Sequence, residues 1–385
     1  MTGFPTGDGR RFRPWALGLG AALLAAAVAA FVVFVTFDGD VTAMFRIGSD
    51  FAQASPLGER PVHAFEGEVG YDGQQFLALA LDPFLLRPGT LRLLDNPSYR
   101  ARRILYPLLG RLLGAGNPRL IPWVLVGLNV ASLGLLVLVM GLHLERAGVH
   151  AVRSLFILCV LGAWAVLLLS TSDLLCSLFV FSALFFQSGR RPALAAAALA
   201  MAALTREAAL LLWAAFLASA ALRRAWREAG HLAWAAIPAA AWNVWVLSFV
   251  PSGGVAGERQ DFGPPFAGIA QAFLTISREG VNLKGAFEFC SLALLVACFG
   301  LLLARAVRSW RSNPTAHLCG LVYFGLFVFA GRACWATTWT SAVSSWTRGS
   351  CSSSAWRRGA ARCRAHCSRS RASVRRLSWP PTRQG

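Results

Sequence analysis

The sequence predicts an all-α integral membrane protein, a polytopic helical bundle of about nine transmembrane helices with a large first extracytoplasmic loop. Three observations predict it. The 385 residues are 56% hydrophobic and only 14% charged, too little polar surface to cover the core of a soluble chain of that length. Apolar runs, many of them close to the roughly 20 residues needed to cross a bilayer, recur along the chain. Arginine-bearing turns alternate with turns of other composition, as expected when basic loops are retained in the cytoplasm.

The first run, Pro14 to Phe37, follows Arg10, Arg11 and Arg13. Its Ala-rich stretches resemble signal-peptide cleavage sites, but it is long for such a segment and more spans follow. It therefore reads as an uncleaved first helix with a cytoplasmic N-terminus. The polar segment from about 38 to 120 then forms the first outer loop. Asp38, Asp40, Asp50, Glu59, Glu66, Glu68, Asp72, Asp82 and Asp95 lie in it, half of the 18 acidic residues in the chain. Gln74 to Leu86 reads as a short amphipathic or interfacial helix ended before Pro88. Ile104 to Leu113 is apolar but too short to span alone.

Further spans are expected at 121–142, 153–170, 174–187, 192–204, 208–222, 232–250, 286–304 and 315–333. The cytoplasmic turns between them carry Arg146 and Arg153, Arg190 and Arg191, Arg223, Arg224 and Arg227, then Arg305, Arg308 and Arg311. The outer turns carry Asp173 alone, Arg206 with Glu207, and a mixed loop at 251–285. Residues 1–333 thus form one multi-span domain. The segment 334–385 is crowded with Arg, Ser and Cys and has no apolar period. In a chain whose one lysine is Lys284, such text is expected of a frameshifted reading that replaces native spans, or of a disordered basic tail touching anionic lipid.

The formal net charge of +19 does not indicate a nucleic-acid partner. Arg332 to Gly385 holds 11 Arg and no acidic residue, so more than half of the excess comes from the tail. Of the nine cysteines, Cys159, Cys176, Cys290, Cys298 and Cys319 lie in apolar runs as small hydrophobes. Cys363, His366 and Cys367 lack the second Cys pair that a structural zinc site needs.

Charges placed between spans are candidates for function. In Gly70-Tyr71-Asp72-Gly73-Gln74-Gln75-Phe76 the two glycines permit a tight turn and close approach of a ligand. Asp72 could act as a general base on a hydroxyl, hold a divalent metal, or cap the helix that follows. In Tyr99-Arg100-Ala101-Arg102-Arg103 three arginines precede apolar sequence at headgroup height. They suit bidentate phosphate recognition, or snorkel to anchor an interfacial helix. Thr205-Arg206-Glu207 forms a tight outer turn whose charges neutralise one another or line the cavity of the acidic loop. Asp38-Gly39-Asp40 is a D-x-D pair of the kind that binds Mg or Mn, equally explained by a turn at a helix exit. Thr171-Ser172-Asp173 reads as a hairpin turn with a helix cap.

Together these stretches resemble the GT-C-type glycosyltransferases that use polyprenyl-phosphate sugars. The similarity is to bacterial cell-surface glycopolymer formation proteins and, more distantly, to mannosyltransferases of the glycosylphosphatidylinositol pathway. Tyr71-Asp72-Gly73-Gln74 with Phe76 and Ala78-Leu79-Ala80 resembles their aspartate-centred first-loop element. Arg103-Ile104-Leu105-Tyr106-Pro107 resembles their Tyr-Pro element, and Thr205-Arg206-Glu207 their mid-chain Thr-Arg turn. The resemblance implies a GT-C-like enzyme of the bacterial inner membrane with a periplasmic site. It would move a sugar from a polyprenyl-phosphate donor to a glycan or glycolipid acceptor, with inversion.

In that reading Asp72 is the catalytic base. Arg103, Arg206 and Arg100 take the donor phosphate, with Gln74, Tyr106, Glu207 and Glu68 in support, and a divalent metal would sit at Asp40 or Asp72. Family chains continue with further spans where this one has its tail, and loss of those spans would leave the enzyme inactive or unstable. A transporter, flippase or polymerase of lipid-linked polysaccharide is the rival reading. A transporter would place charges inside broken spans rather than at their outer rim.

Overall fold

The structure is a computed structural model and describes residues 13–49, 62–250, 264–279, 283–310 and 314–329. The 334–385 tail, with Cys363, His366 and Cys367, lies outside the described residues, as do Asp50 and Glu59. The described chain is mostly helical with almost no strand. Helix α1 (Pro14–Phe31) runs on through a π turn at Val32–Thr36. The outer segment follows with a 3₁₀ turn (Val41–Phe45), then β1 (Ile47–Gly48), β2 (Ala64–Phe65), α2 (Asp72–Leu81), α3 (Pro88–Leu91), α4 (Pro97–Arg100) and α5 (Leu105–Leu113). The apolar runs then give α6 (Ile121–Arg146), a 3₁₀ segment (Ala151–Cys159), α7 (Leu161–Leu168), α8 (Asp173–Ser188), α9 (Pro192–Thr205), α10 (Ala209–Leu222), α11 (Trp226–Ala233) and α12 (Ile237–Phe249). Helices α13 (Ala267–Glu279), α14 (Leu283–Ser309) and α15 (Pro314–Phe329) complete the described chain.

Among the described residues three helical segments are long and apolar enough to cross a membrane: Pro14–Thr36, Ile121–Arg146 and Trp226–Phe249. The single span expected at 153–170 is instead broken. Its 3₁₀ half and α7 meet at an angle of 65°, and the pair makes a fourth span if counted as one. The break falls at Val160, whose extended backbone (φ −83°, ψ 106°) interrupts the helical hydrogen bonds. Helices α8, α9 and α10 have 16, 14 and 14 residues, and at 1.5 Å per residue they fall short of a hydrocarbon core about 30 Å thick.

Small residues decide how α1 packs. Leu17, Ala21, Ala25 and Ala29 are buried at a four-residue spacing, while Leu19, Leu23 and Phe31 face outward. A Cβ on Gly18 would lie 2.8 Å from the Gly134 carbonyl oxygen, and one on Gly134 would lie 2.6 Å from the Ala22 Cβ. Glycine at both positions lets the backbones of α1 and α6 close on each other, the device that aligns helices when a uniformly apolar surface cannot.

The helix expected at Gln74 to Leu86 forms earlier and deeper. It starts at Asp72 and stops at Asp82, just ahead of Pro83. Every residue from Gly73 to Leu81 is buried, so α2 is an internal helix rather than an amphipathic one lying on an interface. Phe76, Leu77, Ala80 and Leu81 share a core with Val41, Met44, Phe45, Tyr106, Ile121 and Leu125. Helix α5 is short, as expected, and packs between α2 and α6.

Candidate functional site

Four loops meet at the start of α2. Gly70 takes a left-handed φ of +89° and turns the chain so that Tyr71 ends the loop in extended geometry, with Asp72 as the first helical residue. Gly73 serves a different purpose. A Cβ there would collide with the Leu169 carbonyl and with the backbone of Phe45. The close approach that glycine permits at this point is therefore to the protein's own α7–α8 turn, not to a ligand. Ser172, in that turn, reaches the Thr205 carbonyl with its hydroxyl at 3.5 Å, tying the start of α8 to the end of α9.

This packing gathers charges from three distant stretches. Arg100 Nη1 contacts Asp72 Oδ1 at 2.9 Å, and it grips Asp95 bidentately through Nε at 2.8 Å and Nη2 at 2.7 Å. Arg103 grips Glu207 in the same way, through Nε at 2.8 Å and Nη2 at 2.6 Å, across 104 residues of sequence. Its Nη1 lies 3.4 Å from Asp72 Oδ2, and it also donates to the Tyr99 hydroxyl. The Tyr99 ring stands 4.5 Å below the Arg103 guanidinium and 5.5 Å from that of Arg100. Asp72 is thus the carboxylate shared by two guanidinium groups, each of which has a carboxylate partner of its own.

Exposure gives the cluster a direction. The Arg103 and Arg100 side chains are 4% and 10% exposed, whereas those of Asp72 and Glu207 are 29% and 30% exposed. The arginines form the floor and the carboxylates face outward. An ionised carboxylate has about four acceptor sites, so Asp72 retains capacity for an incoming hydroxyl.

Burial disfavours the charged form of Glu207. The hydrogen bonds and charge of Arg103, with a backbone hydrogen bond and Arg206, outweigh it and hold the carboxyl at about 2 rather than 4.5. Burial, and then the charge of Asp72, push the Tyr71 hydroxyl up to about 12 against Arg206 and Arg100. Burial likewise raises Tyr99. Both phenols stay protonated and able to donate.

The sign for Glu207 sets a pH window. A depressed carboxyl contributes stability in full above its unfolded value and loses it as pH falls through the folded value. The gap in thermal stability between the native chain and Glu207→Gln is expected to be constant from pH 7 to about 5. It should narrow below 4.5 and close towards about pH 2. Thermal unfolding in detergent across that range checks it, and a gap insensitive to pH would mean that the Glu207 pair carries no stability.

The structure separates other expected site residues. Arg206 and Glu207 do not form an ion pair with one another: Arg206 pairs with Asp173 and Glu207 with Arg103, although the Arg206 charge still helps to hold Glu207 ionised. Tyr106 is fully buried and away from the charges. Its hydroxyl donates to the Leu125 carbonyl at 2.9 Å and accepts from Asn129 at 3.0 Å, locking α5 to α6. Gln74 is also structural, with Oε1 accepting from Gly48 N–H and Nε2 donating to the Val69 carbonyl, each at 3.0 Å. Glu68 pairs with Arg46, whose guanidinium covers the Phe65 ring at 4.4 Å. Asp40 caps the 3₁₀ turn, accepting from Thr42 N–H at 2.9 Å and the Thr42 hydroxyl at 2.6 Å.

The donor set does not fit a divalent metal. Asp72 faces two guanidinium groups and Asp40 is engaged as a cap. Among the described residues no group of three His, Cys, Asp or Glu side chains converges as a metal site.

Asp173 and Asp95 were missed as members of the cluster. For Asp173 the signal was present: it is the one charge in a turn between two apolar runs. Asp95 stands five residues ahead of Arg100, a spacing without diagnostic value.

Comparison with protein-family models, with curated proteins and with solved structures gave no match. The fold and the cluster define a class, a helical chain with three or four segments among the described residues able to cross a membrane and a cluster of charges gathered from its loops.

Proposed function

We propose that this chain is a membrane glycosyltransferase that moves a sugar from a polyprenyl-phosphate donor to a glycan or glycolipid acceptor. The observation that carries the reading is the convergence of the three charged stretches. Asp72, Arg100 with Arg103, and Glu207 with Arg206 come from separate loops, yet Asp72 and Glu207 share Arg103. In the proposed reaction Asp72 accepts the proton of the acceptor hydroxyl as its oxygen attacks the anomeric carbon. The bond to the donor phosphate oxygen breaks, and the polyprenyl phosphate leaves with its electron pair.

Arg100 and Arg103 then act chiefly on Asp72, holding both its oxygens in place. Each is already matched to a carboxylate, so a phosphate would have to displace Asp95 or Glu207 to reach it. Arg102 is different. It makes no ion pair among the described residues, and its buried Nε has no hydrogen-bond partner. In the proposed reaction this guanidinium takes the leaving phosphate, since it has no carboxylate partner to give up. The topology proposed with this chemistry is nine spans in a bacterial inner membrane, a cytoplasmic N-terminus and the Asp72 cluster on the periplasmic side.

The test is direct. The full chain in liposomes is given a panel of polyprenyl-phosphate hexoses and pentoses with a glycolipid acceptor, and sugar transfer and polyprenyl-phosphate release are followed together. Matched release and transfer from one donor is the expected result. Movement of an intact donor across the bilayer without cleavage overturns it in favour of a lipid-glycan transporter.

A further inference from the structure

The turn after α2 holds large apolar side chains outward in a fixed shape. Leu85 adopts a left-handed φ of +53°, a conformation that costs a bulky residue energy and persists only when its surroundings enforce it. Asp82 is what enforces it. Its buried carboxylate accepts from Leu86 N–H at 3.1 Å, Arg87 N–H at 2.9 Å and the Thr90 hydroxyl at 2.8 Å. The turn so fixed leaves Phe84 47% and Leu86 80% exposed.

Its neighbours set its depth. Trp242 and Trp245 stack at 4.6 Å near the C-terminal end of α12, and the Phe84 ring stands edge-on to both at 6.2 and 6.1 Å. Trp245 continues to Phe249, itself 72% exposed. The Trp242 indole N–H donates to the Ala101 carbonyl at 2.8 Å, fastening the arginine-bearing segment to the same place. Trp226–Phe249 is one of the segments able to cross a membrane. Trp242, Trp245 and Phe249 lie in the second half of that segment, and Trp is favoured at headgroup depth because its ring is apolar and its N–H polar. Arg87 and Arg92 are exposed on the flank of the turn and form no ion pair among the described residues.

We propose that the Pro83–Arg92 turn, backed by Trp242, Trp245 and Phe249, is an interfacial anchor seated in the headgroup layer of an anionic phospholipid bilayer. Phe84 and Leu86 enter the boundary between headgroups and acyl chains, and Arg87 and Arg92 meet lipid phosphates. The proposal rests on the membrane reading of the α11–α12 segment but not on sugar transfer.

Photocrosslinking tests it. The full chain carries p-benzoylphenylalanine in place of Leu86, or in place of Leu247 on the exposed flank of α12, in vesicles of equal phosphatidylglycerol and phosphatidylcholine. Adducts are read by mass spectrometry. Phosphatidylglycerol adducts at position 86 are expected to exceed phosphatidylcholine adducts by about fivefold for each arginine. Arg87→Ala with Arg92→Ala should return the ratio to that of the bilayer while adducts persist. Lipid adducts at 247 but not at 86 overturn the anchor and leave the span intact. Adducts at neither position overturn both. A crosslink from 86 to a second copy of the chain, or a ratio equal to the bilayer's in the native sequence, overturns the anionic lipid as occupant.

Discussion

Replacing Asp72 with Asn is expected to lower the rate of sugar transfer roughly 10²- to 10⁴-fold, the range a positioned general base contributes, while the fold survives. The amide keeps the shape of the carboxylate, and its oxygen still accepts a hydrogen bond from Arg100 at the 2.9 Å position. It has no charge and cannot take the proton. Stability should change by only about 1 kcal/mol, the net worth of an ordinary hydrogen bond, because Arg100 and Arg103 keep their bidentate partners Asp95 and Glu207. The measurement is turnover of the donor by the purified variant beside its thermal unfolding. A variant that turns over at the native rate would reduce Asp72 to a counter-ion of the two arginines. A variant that fails to fold would show that the shared carboxylate holds the loops together.

Removing the Arg103 side chain should have the largest effect on stability. Arg103 is 4% exposed and serves Glu207, Asp72 and Tyr99 together, so Arg103→Ala leaves Glu207 without the partner that offsets its burial. Breaking a fully buried pair from one side costs about 3 kcal/mol or more, and because Glu207 keeps 30% of its side chain exposed the loss expected here is up to about 3 kcal/mol. Arg103→Lys should recover less than half of the loss. An ammonium supplies a point charge but cannot make a bidentate grip on Glu207 while also reaching Asp72. Pairing Arg103→Ala with Glu207→Ala checks the mechanism, because removal of both charges should cost less than the two single losses added. Additive losses would mean that the pair is screened by solvent and does not clasp the first loop to the α9–α10 turn.

The helices were legible because hydropathy is local. Pro14 begins α1, Ile121 begins α6, and the runs around 174–187, 192–204 and 208–222 became α8, α9 and α10 with ends within a residue or so. Asp72, Arg103 and Glu207 were legible as candidates for a related reason, since a charge beside an apolar run is costly enough to require a purpose. Pairing was not legible. Nothing in the sequence distinguishes Arg103 gripping Glu207 from Arg206 gripping it, because the choice is made by how α2 abuts the α7–α8 turn through Gly73.

Tyr106 lies beside the arginines in sequence but faces the core from the first turn of α5, its ring against Phe76 and its hydroxyl on α6. The run at 153–170 contains no proline to announce its 65° break. The sequence by itself determined most of the helical segments and which charges stand at their ends, properties set by residues within a few positions of each other. It did not determine α13 (Ala267–Glu279), which forms inside the stretch 251–285 expected as a loop. Only the tertiary structure decided which carboxylate each arginine holds and that α2 is buried on all sides, because those outcomes depend on contacts as much as 104 residues apart.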